Sequence, residues 1–268
     1  MKQRGGAQVW VSGAILLLLM VAAVGAPWLA THHPADVNLL EALQAPSRVH
    51  WLGTDSLGRD LYSRLVFGAR ISLIVGVGAM GLSLVVGTAL GLIAGWYGRW
   101  ADALIMRAVD VMLCFPTFFL LLAIIAIIGQ SMTNIILIIG LTGWMGVARL
   151  VRAEVLSLKE REFIQAARLI GLSPARIMAR HLLPNALSPV LVSATLGIGA
   201  AILVESGLSF LGLGIQPPTP SWGNLLTDAK STMTVAWWQT VFPGGAILVT
   251  VLSFNLLGEG LRDFLSRS

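Results

Sequence analysis

Residues 161–185 read REFIQAARLIGLSPARIMARHLLPN. The stretch carries five charged side chains and a histidine in a chain of 268 residues that is 56% hydrophobic and only 12% charged. It is also heavily punctuated. A helix running from about Ala153 through EVLSLKEREFIQAARLI meets Gly171, a residue suited to the position just past a helix end. Ser173 can then cap a second helix, Pro174 fits its first turn, and Pro184 is expected to end it. The prediction is helix, tight turn, helix. Along the second helix Ile177, Met178, His181 and Leu182 form an apolar edge, and Arg176 with Arg180 a basic one.

What lies on either side of this hairpin is membrane-like. Mean hydropathy is +0.82, and soluble proteins carry roughly 25% charged residues. Apolar runs such as AILLLLMVAAVGAPWLA and FFLLLAIIAIIG approach the length of about 20 residues that spans a bilayer. Six spans are predicted, at 9–30, 72–95, 109–129, 134–150, 186–208 and 241–258. With both termini in the cytoplasm that side holds thirteen Lys and Arg against five outside, so the positive-inside rule selects this orientation and makes 151–185 a cytoplasmic loop. Lys2 and Arg4 precede the first apolar run, but its length exceeds the roughly 7–15 residues of a signal peptide core, so it is read as a retained span. The resulting plan is a cytoplasmic N-terminus (1–8), a first span (9–30), an extracytoplasmic segment (31–71), a core of five spans (72–263) and a cytoplasmic C-terminus (264–268).

Within 31–71, Thr54 or Asp55 is expected to cap an amphipathic helix with Leu57, Leu61, Leu65 and Ala69 on one face and an Asp60–Arg64 pair on the other. In the second span Gly87, Gly91 and Gly95 form a small-residue stripe for close helix packing. The nearby GVGAMG, residues 76–81, matches a dinucleotide fingerprint, but inside a span it has no strand-to-helix turn to form and is accidental.

Several functions are excluded. One cysteine, Cys114, permits no disulfide within the chain. The sequence pI of 10.1 reflects basic residues dispersed over membrane-flanking loops with no nucleic-acid motif, so no nucleic-acid partner is expected. No G-x-x-x-x-G-K-[ST] or G-x-S-x-G is present, and the four histidines all fall outside the predicted spans. The chain is therefore not expected to be an enzyme or to bind ATP. His32 and His33 invite a nickel reading, but two adjacent histidines do not complete a site, and no metal is assigned. Glu205, toward the outer end of the fifth span, is a candidate pathway residue by its depth, with interfacial pairing as the alternative. Asp110 is expected to pair with Arg107 or a neighbouring helix, and Pro116 to kink the third span, for gating or for packing. Trp28, Trp51, Trp96, Trp100, Trp222, Trp237 and Trp238 read as interfacial anchors.

Physical argument alone leaves the hairpin either a docking element for another protein or an amphipathic loop on anionic lipid. The pattern decides. QAARLIGLSPARIMARHLLP resembles the EAA loop of bacterial ABC-importer permeases, with Ala166, Ala167, Gly171, Leu183 and Pro184 in register; Gln165 replaces the glutamate and His181 the isoleucine. HWLGTDSLGRDLYSRLVFGARISL (50–73) and LSFLGLGIQPPTPSWG (208–223) resemble the dipeptide, oligopeptide and nickel permeases of the DppC/OppC type. That resemblance implies an all-α inner-membrane permease of the MetI-like type I fold, with a second homologous permease completing the pathway. It further implies two cytoplasmic ATPase subunits that use ATP and Mg, and an extracytoplasmic solute-binding protein. Peptide is the expected substrate class and nickel or another small solute the alternative. Ala166, Ala167, Gly171, Ser173, Arg176, His181 and Pro184 are the residues expected to contact the ATPase or shape the turn. An ion-driven secondary transporter is a different class, expected to carry ionisable groups at the bilayer centre. A structural or assembly protein would leave the three motifs unexplained.

Overall fold

The computed structural model describes the backbone of residues 4–265 and the side chains of residues 8–264; Lys2 and Arg267 of the orientation count lie outside them. The long apolar runs form helices because a backbone in lipid must satisfy its own hydrogen bonds. In chain order these are α1 (Arg4–Val24), a short α2 (Ala26–Leu29), α3 (Leu61–Tyr97), α4 (Arg99–Cys114), α5 (Thr117–Ile128), α6 (Met132–Lys159), α7 (Glu162–Leu169), α8 (Pro174–Ile177), α9 (Leu183–Phe210), α10 (Trp222–Ala229) and α11 (Trp238–Leu265). No strand occurs among the described residues, and the fold is all-α. Four helical stretches are long and apolar enough to cross a membrane: α3, α6, the run Pro174–Phe210 and α11. The bent pair α4–α5 counts as a fifth, and the apolar part of α1, Gln8–Val24, is shorter. Each of the six predicted spans falls on one of these. Leu17, Leu18, Val85 and Ile127 are more than 60% exposed on the outer face, as lipid-facing side chains are.

Four expectations are corrected. The amphipathic helix of 31–71 is not a separate element: Gly53 and Gly58 adopt φ +82° and +72°, Asp55 closes a turn on the amides of Leu57 and Arg59, and the helix begins only at Leu61. From there α3 runs unbroken for 37 residues. Its N-cap is Asp60, which accepts from the Ser63 amide at 2.8 Å, so Asp60 does not pair with Arg64. The third span is not merely kinked: α4 and α5 meet at 88° across Phe115 and Pro116, with Pro116 as the cap of α5. Trp222 and Trp238 are 1% and 6% exposed; they are core residues whose indole N–H groups donate to Leu65 O and Thr54 O, rather than lipid anchors.

The glycine stripe packs as predicted. A Cβ on Gly87, Gly91 or Gly95 would lie 2.6, 2.8 and 2.7 Å from the Cβ of Val147, Val151 and Val155 of α6. Two sets of residues at four-residue spacing thus interlock, bringing α3 and α6 backbone to backbone. Gly76 of the GVGAMG match lies inside α3 against Ile202 of α9, where a Cβ would meet its Cγ1 at 2.7 Å.

Candidate functional site

The hairpin opens where α6 ends. Lys159 turns back to donate to the carbonyls of Gly95 and Trp96 at 3.1 and 2.8 Å, satisfying the C-terminus of α3. Helix α7 follows, and Ile164 and Ala167 are its buried face. The Leu172 amide bonds to Ala167 O and the Gly171 amide to Arg168 O, which is the Schellman ending, with Gly171 at φ +80° as its left-handed residue. Ser173 occupies the N-cap of α8, but its hydroxyl makes no capping bond. Pro174 stands in the first turn as expected.

Pro184 does not end the second helix. A π turn over Met178–Leu182 joins α8 to α9, and the wider turn accommodates a proline ring and its missing N–H without breaking the run. The second hairpin helix is therefore the beginning of a span. Ile177 and Leu182 bury with Ile164 and Ala167 against Val151 and Val155 of α6 and Val190 of α9. The hairpin is bolted to two spans.

Of the predicted hairpin residues, Ala167 lies in that apolar cluster, whereas Ala166, Gly171, Ser173, Arg176 and Pro184 are exposed. His181 is half-buried, its ring 6.5 Å from that of Phe163. Arg168 lies over the Trp96 ring at 4.3 Å. The sequence reading missed the tip itself: Leu169 and Ile170 are 88% and 76% exposed, two large apolar side chains that the chain leaves uncovered between Arg168 and Arg176. Their position immediately before Gly171 was the available signal.

Between the spans lies a cavity of about 190 Å³ whose lining includes Met80 and Ser83 of α3, Thr117 of α5, Thr142 of α6, and Gly197 and Val204 of α9. Thr117 directly follows Pro116, so the α4–α5 bend delivers a hydroxyl to the cavity. Glu205 follows Val204 but is absent from the lining. It is fully buried, accepting from Ser209 at 2.7 Å and from Ser221 at 2.9 Å, with Ser206 at 3.5 Å. Ser221 is the N-cap of α10, so Glu205 fastens the segment after α9 back onto the bundle.

The loop face, at the Leu61 end of α3, holds a charge network that no local rule reveals. Asp55 pairs with Arg59 at 2.6 Å and with Arg64, while Asp228 of α10 pairs with Arg59 at 2.8 Å and Arg64 at 3.1 Å. Both arginines are buried. Beside them, Asp60 accepts from Ser63 and contacts His50 Nδ1 at 2.9 Å. Burial opposes its charge, but the Ser63 amide, the His50 ring and the Ser63 hydroxyl together hold its carboxyl below the ordinary value of 3.8. On the hairpin face Arg149 reaches Asp110 at 2.5 Å, from a neighbouring helix as expected, and Arg152 pairs with Asp102.

Residues 87–268 match the family described as "Binding-protein-dependent transport system inner membrane component". Over 251 residues the chain is 48% identical to the dipeptide transport system permease protein DppC of Alkalihalophilus pseudofirmus, covering 94% of this chain and 83% of that one. It is 43% identical over 255 residues to the glutathione transport system permease protein GsiD of Pectobacterium atrosepticum, covering 95% and 85%. Among solved structures it is similar in fold to the MetNI methionine ABC transporter in its inward-facing conformations, with a TM-score of 0.57 at 19% identity over 75% of this chain and 97% of the other. An amino acid ABC transporter gives 0.57 at 16% identity over 77% and 95%.

Proposed function

From the premise that this chain belongs to the binding-protein-dependent transport system inner membrane components, we propose that it forms one half of a peptide pathway, completed by a second, homologous permease. Its hairpin seats in a cytoplasmic ATPase, one of two that use ATP and Mg, and a solute-binding protein delivers substrate to the opposite face. Both termini then lie in the cytoplasm, in the inner membrane of a bacterium. Short peptides are favoured over nickel because the similar permeases carry dipeptide and glutathione in their names. The chain itself contributes neither a phosphate-cradling loop nor a catalytic group.

The hairpin carries this reading. Its buried face is continuous with α6 and α9, and both helices line the membrane cavity. A displacement imposed at Gly171 by a closing ATPase therefore moves two walls of that cavity as one body. The exposed Leu169 and Ile170 supply apolar contact area, and Arg176 and Arg180 supply positive charge, at the surface that would enter the groove. The test is Leu169→Asp in the intact importer. Uptake of a labelled dipeptide should fall tenfold or more, as expected when about 1.4 kcal/mol or more of docking energy is lost, while the amount of chain in the membrane stays constant. Full uptake with normal ATPase copurification would sink the reading.

A further inference from the structure

We propose that the loop face contains a binding site for a divalent transition ion of the zinc class, built from His50, Glu41 and His32 and oriented by Asp60. His50 is 3% exposed, yet its Nε2 is buried without a hydrogen-bond partner among the described residues. A buried imidazole nitrogen left unpaired forfeits the bond it would make with water. Its other nitrogen, Nδ1, is held by Asp60 Oδ1 at 2.9 Å. A carboxylate on one imidazole nitrogen fixes the tautomer that frees the other as a ligand, the arrangement found behind metal-bound histidines.

The free nitrogen has company. Glu41 Oε2 lies 3.5 Å from His50 Nε2, and bonds of about 2.0–2.2 Å in a tetrahedral array set ligand atoms roughly 3.3–3.6 Å apart. The His32 ring lies against that of His50, centroid to centroid 4.8 Å. His32, His50 and Asp60 cluster within 4.8 Å, with Asp60 Oδ1 facing Nδ1 of both rings, at 2.9 Å from His50 and 3.8 Å from His32, so the carboxylate orients both imidazoles and leaves each Nε2 to a metal. All four side chains line one cavity of about 190 Å³. They are held from outside: the His32 amide donates to Ser63 Oγ at 3.0 Å, and the Asn38 amide group donates to Glu41 Oε2 at 2.8 Å. Two imidazoles with carboxylate suit zinc and its neighbours rather than calcium or magnesium, which take all-oxygen sets. The sequence reading paired His32 with His33; the fold pairs it instead with His50, eighteen positions along the chain.

The test uses the full permease complex, purified through a tag free of histidine, stripped with a chelator, re-equilibrated with zinc and desalted. Metal analysis should find zinc on the wild type in excess of that on His32→Gln and His50→Gln complexes by about one equivalent per chain. Cobalt(II) in place of zinc should give the visible bands of tetrahedral coordination in the wild type only. Asp60→Asn, which preserves a helix cap, should weaken zinc affinity by about 10–100-fold. His33→Gln, whose ring borders the same cavity but is exposed and turned to Asp36 at 3.5 Å, should keep the zinc. His32 is partly exposed, so its variant assembles even if that of His50 does not. Wild-type complex holding no more zinc than His32→Gln, or equal loss in His33→Gln, overturns the site.

Discussion

Gly171 has no atom within 4 Å of the place a Cβ would take, yet its φ is +80°. A substitution there is resisted by the backbone alone, by about 1–2 kcal/mol for a residue with a Cβ and more for a β-branched one. Gly171→Val should therefore reshape the hairpin tip and lower transport while membrane insertion persists; unchanged uptake would show that the turn's geometry is dispensable. Glu205 makes the opposite case, since its partners are the whole of its setting. Glu205→Ala strips the acceptor from the Ser209 and Ser221 hydroxyls, at about 1–3 kcal/mol for each buried donor left unpaired. The purified complex should melt at lower temperature, with Glu205→Gln in between. A large loss of uptake without a change in melting would instead support a pathway role. At this scale Gly171 was legible, because one torsion leaves a mark in one letter. Asp60–Arg64 was misread: spacing of four offered Arg64 a neighbour, whereas its actual partners are Asp55, on the turn before the helix, and Asp228, on another helix.

Between elements, the glycine row of α3 packs closely against the valine row of α6. Gly91→Leu places a branched side chain where a single Cβ already meets Val151 Cβ at 2.8 Å and Ala148 O at 2.7 Å. Overpacking of this kind costs about 1–3 kcal/mol, visible as a lower melting temperature of the detergent-solubilised complex. An unchanged melting point would mean that the two helices separate at no cost. The stripe was readable because helix period and residue size are both written locally. The α4–α5 break was only half readable. An apolar run looks the same straight or bent, and Pro116 announces a disturbance without its angle. The union of α8 with α9 was hidden for the converse reason: Pro184 reads as a stop unless the turn before it widens, and nothing in MARHL announces a π turn.

For the molecule as a whole, the arrangement of charges predicts which face meets the cytoplasm. With native Cys114 replaced by serine, a cysteine at exposed Glu160 should react with a membrane-impermeant thiol reagent only in inverted vesicles, and one at exposed Met233 only in right-side-out cells. The reverse pattern would invert the topology and with it the place of the ATPase. The spans were legible because a bilayer imposes a length on each segment separately. The loop face was not, since its residues come from stretches far apart in the chain. That distance bears on how the protein is made. Arg59 and Arg64 are translated early, and Asp228, their shared partner, more than 160 residues later. Until residue 228 is made, Asp55 is the only one of their two shared carboxylate partners in the nascent chain. A chain that stops before residue 228 therefore lacks one of the two carboxylates that pair with both buried arginines.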